Sequence, residues 1–322
     1  MIFIENYNKA KDYHYKVLKC WFVHKLDRSS NNHKCTLPNC ESCKEQKKDG
    51  GFVKRQYYKK LSLPLRIFLQ NNLDNLIQGT SETLKPVIIN NYRLLLRTHK
   101  ELTEFIVEST YKDFFQKKCG RRFLNLLNVN TCLSCNINYT LEVVDSHARA
   151  QLDHFMPKTY FPVLGVNFYN LIPVCPRCNH LKGSGKNKHW WRYNYDKLYH
   201  PYFKENNVFK FNYQYTDSTN SFDITFSKAD DIKAKNTIAE NRLAQIYSAH
   251  CNFEFRDLYN LRKKYGGNHL NQMIEFLKKT GITKEETYEM LFGIKTNESE
   301  YHKRPFSKFK SDIIEELLKL ED

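Results

Sequence analysis

Two Cys-x-x-Cys pairs, Cys132/Cys135 and Cys175/Cys178, constrain this chain more than any other feature. That spacing lets two thiolates from one tight turn reach the same tetrahedral ion, and two such turns close a structural four-cysteine zinc site. A redox Cys-x-x-Cys needs one pair in a thioredoxin-like unit and does not explain two. A structural zinc supplies roughly 10–16 kcal/mol of apparent folding free energy to a small motif. The residues between the pairs can therefore be polar and loop-rich. They include Asp153-His154 and Asn170, and Asn179 directly follows the last cysteine.

The segment AQLDHF reads as a short strand ending in Asp153-His154. IPV, between Asn170 and Cys175, reads as its antiparallel return, and NHLKGS reads as a helix beginning at Asn179. A strand, strand, helix unit then brings Asp153, His154 and Asn179 to one face. The run DHF-x-P, then N-L-x-P-V, then C-P-x-C-N-x-x-K-G resembles the HNH endonucleases, the ββα-metal nucleases. The match covers about 50 of the 322 residues. The resemblance implies that His154 is the general base, that Asp153 and Asn179 hold one divalent metal, and that Asn170 holds the loop and the histidine in place. The family has His or Asn at its last position; here it is Asn179, with His180 as a neighbour.

Those roles suit phosphodiester hydrolysis. An imidazole with a pKa near ~6.5 accepts a proton from water at neutral pH. One carboxylate and one amide leave Mg2+ or Mn2+ with open positions for water and phosphate. Lys182, one turn after Asn179, is placed to hold a neighbouring phosphate, and a helix N-terminus also favours an anion. Lys186, Lys188 and Arg192 lie in KGSGKNKHWWRY, where basic residues alternate with Trp190 and Trp191. Such a mixture stacks on or clamps nucleic acid, although the tryptophans serve a core equally well.

Charge points the same way. Lys and Arg number 51 against 35 Asp and Glu, a net of +16, with a pI near 9.2. An excess of this size usually meets a polyanion. Residues 1–60 hold 14 Lys/Arg against 6 Asp/Glu, half of the whole excess. Within them lie His33, Cys35, Cys40 and Cys43, a second candidate zinc set, with Cys20 or Cys119 as rivals for the fourth ligand. Clustered thiols at zinc-like spacing, no basic-then-apolar leader and no membrane-length apolar run predict a cytoplasmic protein with reduced cysteines.

The expected fold class is α+β: a mainly helical chain around a central zinc-stapled ββα module, with a small β-hairpin downstream. Residues 1–128 form a basic region and a helical domain, 129–200 the HNH module, and 201–322 the hairpin and C-terminal helices. The hairpin is expected from VFKFNYQY and SFDITFSK around TDSTN. One long helix is expected from about Asp231 to Lys264. The functional expectation is a metal-dependent endonuclease on DNA, with RNA and nicking open. A regulatory protein partner such as an ATPase, in a bacterial antiviral defence or restriction system, is expected from the family association. The competing expectation is a non-catalytic zinc module that binds nucleic acid or protein.

Overall fold

The structure is a computed structural model that describes residues 2–26, 34–48, 60–141, 150–183, 197–204, 208–216, 221–264 and 268–319. It is mainly helical with two two-stranded sheets, an α+β fold. Its contacts divide into two units. One comprises Asn6–Asn128 and Leu152–Ile172; the other comprises the residues up to Glu5, Val129–Gln151 and Pro173–Asp322. Leu152–Ile172 thus clusters with the first helices.

The first unit is built on α1 (Asn8–Leu26), which buries Tyr13, His14, Val17, Leu18, Trp21 and Phe22. A sequence reading that weighed only the basic character of residues 1–60 passes over this helix. Short helices follow through Leu63–Asn71, Leu73–Gln78, Ser81–Asn90 and Tyr92–Arg97. Pro86 lies inside the third of these without ending it. Gly79 ends the second in an extended conformation, with φ −66°. Its need is space: a Cβ there would lie 2.5 Å from the Asn75 carbonyl oxygen.

Thr103–Cys119 is a π-helix, a rare form whose hydrogen bonds reach back five residues. Its buried positions follow that repeat: Phe105, Thr110 and Phe115 are five apart, as are Ile106 and Tyr111. The Thr110 hydroxyl donates to the Phe105 carbonyl, and the Trp21 indole N–H donates to the Thr110 hydroxyl at 3.1 Å. Trp21 also stacks on Phe114 with centroids 3.9 Å apart. The segment Leu152–Ile172 contributes Phe168, whose ring meets His14 and Phe123 in the same core.

In the second unit, β3 (Lys210–Thr216) and β4 (Ser221–Ser227) pair antiparallel from Lys210↔Ser227 to Thr216↔Ser221. This is the expected hairpin. Phe211 packs on Tyr247 and Phe309, whose helices, Leu243–Lys264 and Ser307–Lys319, cover the sheet. The long helix expected from Asp231 is two helices, Ile232–Glu240 and Leu243–Lys264, because Arg242 turns left-handed with φ 51°. The last helix buries Ile313, Ile314 and Leu317 within this chain, so its apolar face already has a partner.

β1 (Gln151–His154) pairs with β2 (Leu171–Val174), and a helix runs from Pro176 to Gly183. The strands fall where the sequence places them. The helix starts three residues before Asn179, so Cys178 and Asn179 both sit in its first turns.

Candidate functional site

The zinc pairs fold through local geometry. Cys132 opens a turn closed by the Asn136 N–H donating to the Cys132 carbonyl at 2.7 Å. Asn136 is left-handed with φ 54°, a conformation that Asn tolerates better than most side chains. Cys175 immediately precedes the helix that carries Cys178. All four sulfurs lie within 4.8 Å of one another and all four residues are buried. A tetrahedron with Zn–S arms of about 2.3 Å has edges of about 3.8 Å, so a set gathered this closely could hold zinc. The Asn138 side chain and the Ile137 N–H donate to Cys175 and Cys135 sulfurs at 3.3 and 3.4 Å. Hydrogen bonds from Cys132, Cys135 and Cys178 hold the Cys175 thiol far below its usual range, and burial pushes Cys132 up. Protons in such a cluster belong to the group of sulfurs.

Asn136 also ties this turn to the C-terminal segment. Its Nδ2 donates to the Thr131 hydroxyl and to the carbonyls of Tyr301 and Arg304. Its Oδ1 accepts from the Lys308 N–H, and its carbonyl accepts from the Phe306 N–H. Tyr247 donates its hydroxyl to the Cys135 carbonyl at 2.5 Å. Asn179 is in this unit too, and its Nδ2 donates to Gln151 Oε1 at 2.6 Å. That bond fixes the amide's donor end and leaves Oδ1 as the atom with which Asn179 would bind a cation.

In the other unit, His154 is buried and its Nε2 lies 2.9 Å from the Gly165 carbonyl. A carbonyl only accepts, so Nε2 carries the proton. In the neutral ring Nδ1 then holds the lone pair. The Lys158 ammonium lies 3.5 Å from Nδ1. Tyr111, from the π-helix, stands edge-on to the imidazole with centroids 4.5 Å apart and donates its hydroxyl to the Leu152 carbonyl. Lys158 lies 5.5 Å from the centre of that same tyrosine ring. Asp153, between Leu152 and His154, is half-buried.

Asn170 is fully buried and clamps the loop after β1. Its Oδ1 accepts from the Met156 N–H at 2.6 Å, and its Nδ2 donates to the carbonyls of Met156 and Leu164. Leu164 precedes the glycine that holds His154, so one amide braces both sides of the histidine. Asn167 reaches further, donating to the carbonyls of Leu76 and Gly79. Asp153, His154 and Asn170 are therefore gathered in one unit, and the four knuckle cysteines with Asn179 in the other. Sequence reasoning missed Tyr111, Lys158, Gly165 and Asn136. Lys158 had a signal in its four-residue spacing from His154, whereas Tyr111 had none short of the fold.

Cys35, Cys40 and Cys43 lie together with Cys20, again with all four sulfurs within 4.8 Å, so both clusters could hold zinc. His33, the other expected ligand, lies outside the described residues, as do Lys186, Lys188 and Arg192. Cys119 is buried but is not in the cluster. A hydrogen bond from Cys20 pulls the Cys40 thiol down to about 5, and burial pushes Cys43 up to about 12. Lys182 is half-buried near the end of its helix. No described helix is long and apolar enough to cross a membrane.

The chain is similar to the Septu protein PtuB of Bacillus thuringiensis, with 32% identity over 74 residues. That alignment covers 21% of this chain and 27% of the relative, so the chain spans about a quarter of the relative's length. No protein-family model matches the chain. No solved structure matches it.

Proposed function

We propose that this chain is a metal-dependent endonuclease of the HNH type, acting on DNA in a bacterial defence system. The observation that carries the proposal is the state of His154. Its Nε2 is committed to the Gly165 carbonyl, and its ring is braced by Tyr111 and by the Asn170-clamped loop. A buried core histidine also satisfies a nitrogen in this way. Here, however, the brace leaves Nδ1 as the acceptor, and the ring follows Asp153 in a DHF-x-P run ahead of a zinc knuckle.

In this reading Lys158, 3.5 Å from His154 Nδ1, gives way to the attacking water, whose proton Nδ1 then takes. Tyr111 and Asn170 prevent the imidazole from turning. Asp153 and Asn179 offer hard oxygen donors, the chemistry that Mg2+ or Mn2+ prefers. When bound, such an ion supplies positive charge against the phosphate and the leaving oxygen. Lys182, with Lys186, Lys188 and Arg192, holds the nucleic-acid backbone. The net charge of +16 supports a polyanionic substrate. The similarity to a Septu protein is compatible with the proposed defence setting and with a protein partner, for which an ATPase is one candidate.

The test is plasmid cleavage with Mg2+ or Mn2+, against EDTA, by wild type and His154→Ala. The expected result is metal-dependent cutting that His154→Ala reduces by about 10²–10⁴-fold. A wild type that cuts neither DNA nor RNA, alone or with the product of a neighbouring gene, overturns the enzyme reading and leaves a zinc-binding module. Full cutting by His154→Ala overturns the role of His154.

A further inference from the structure

We propose that Cys20, Cys35, Cys40 and Cys43 form a second structural zinc centre with four sulfur ligands, which pins the chain after α1 back onto the middle of that helix. His33 is not a ligand in this assignment.

The four sulfurs meet the same distance condition as the knuckle, all within 4.8 Å, and Cys20 and Cys43 sulfurs are 3.5 Å apart. The local fold repeats as well. At the knuckle, Cys175 directly precedes a helix beginning at Pro176, and Cys178 sits in its first turn. At the second centre, Cys40 directly precedes α2 (Glu41–Lys48), and Cys43 sits in its first turn. In each case a Cys-x-x-Cys straddles a helix start, which aims both sulfurs at one point. Asn39, before Cys40, is left-handed with φ 54°, as Asn136 is beside Cys135.

The partner pair differs. Cys35 comes from the loop, and Cys20 comes from α1, among whose buried residues it lies. Cys20 is 1% exposed and Cys40 is 3% exposed. A thiol at a helix midpoint, facing three others across 15 to 23 residues of chain, has no packing requirement that Ala or Val could not meet. Zinc coordination does require it. The surrounding charges hold the same geometry: Arg122 reaches Glu41 at 3.4 Å and the Pro38 carbonyl at 3.5 Å, and it lies over the Tyr13 ring. That ties α2 and the Cys35–Cys40 loop to the helices on which they rest.

The two centres differ in exposure. All four knuckle cysteines are buried, whereas Cys35 and Cys43 are partly exposed. Chelators and thiol reagents reach partly exposed ligands first. The second centre therefore releases its zinc before the knuckle does.

The experiment is metal analysis of the purified full chain, joined to zinc X-ray absorption of the wild type. The expected stoichiometry is two zinc ions per chain, falling to one in Cys20→Ser and staying at two in His33→Ala. The expected absorption spectrum has sulfur neighbours alone. Because Cys20→Ser could disturb α1, the wild-type spectrum gives an independent readout. Imidazole scattering in that spectrum, a single zinc in wild type, or loss of one zinc in His33→Ala overturns the assignment. Mixing with a chromogenic chelator should release one equivalent quickly and one slowly; a single phase of two equivalents overturns the ordering.

Discussion

His154 Nε2 is 2.9 Å from the carbonyl oxygen of Gly165, eleven residues further along the chain. This bond sets the tautomer of the one histidine that the DHF-x-P run singles out. Gly165 is itself confined. A Cβ there would lie 3.0 Å from the Pro162 carbonyl oxygen and 3.2 Å from the Ile106 side chain. Gly165→Ala should therefore shift the carbonyl and loosen His154, and on the proposed nuclease reading lower the cleavage rate about tenfold or more. Its melting temperature should change less than that of a core truncation. Plasmid cleavage and a thermal melt on the same preparation check both parts.

Asn170 offers a sharper separation of role from stability. Its amide satisfies three buried backbone groups. Asn170→Ala leaves them without that partner, and at ~1–3 kcal/mol for each buried group left unsatisfied the fold should lose ~3 kcal/mol or more. Asn170→Asp keeps the acceptor for Met156 N–H but sets a carboxylate against two carbonyls, so it too should fail to rescue. Denaturant unfolding of the three proteins measures this.

Asn136 combines a left-handed backbone with five hydrogen bonds to its side chain and carbonyl. Asn136→Gly relieves the backbone requirement but removes the side-chain bonds. Asn136→Ala loses both and adds ~1–2 kcal/mol of strain. Ala should thus be the less stable of the two, and both should be well below wild type. If Gly matches wild type in urea unfolding, the side-chain bonds to 301–308 contribute little.

Acid should destabilise the protein through two buried histidines. Burial holds His14 at about 3 and His302 at about 4, both below the ordinary histidine value of 6.5. The unfolded chain takes up these protons first, so the stability they contribute is full above pH ~6.5 and falls as pH drops from there toward 4. Melting temperature should decline between pH 7 and 5. His14, ringed by Phe115, Phe123 and Phe168, is the larger contributor because it is fully buried. His14→Phe should flatten that slope if the ring is accommodated; an unchanged slope in a folded variant excludes His14 as its source.

Zinc removal at the knuckle should be far more damaging than loss of any one of these bonds. Cys175→Ser breaks the four-cysteine set beside Cys132–Asn136, the helix at Pro176 and, through Asn136, the 301–308 segment. Structural sites of this kind carry ~10–16 kcal/mol of apparent folding free energy. The variant should be insoluble or unfolded by circular dichroism.

Cysteine spacing, the Asp153-His154 strand end, the 210–227 hairpin and the helical run from residue 63 were legible because each is a local pattern. Two residues on one turn, alternation over seven, or a periodic apolar stripe need no knowledge of what lies opposite. Other features were decided by contacts between distant parts of the chain. Cys20 joins the second cluster only because α1 passes beside the Cys35–Cys43 loop. The π-helix puts Tyr111 against His154 through a five-residue repeat that has no ordinary sequence signature. Gly165 matters because Ile106 leaves it no room, and Asn136 because a segment 165 residues away docks on it. Sequence by itself determined which knuckle cysteines could share an ion, since spacing in a tight motif sets which thiols can meet. The tertiary structure alone decided what orients them, since a buried polar atom must find its partner wherever the packing puts one.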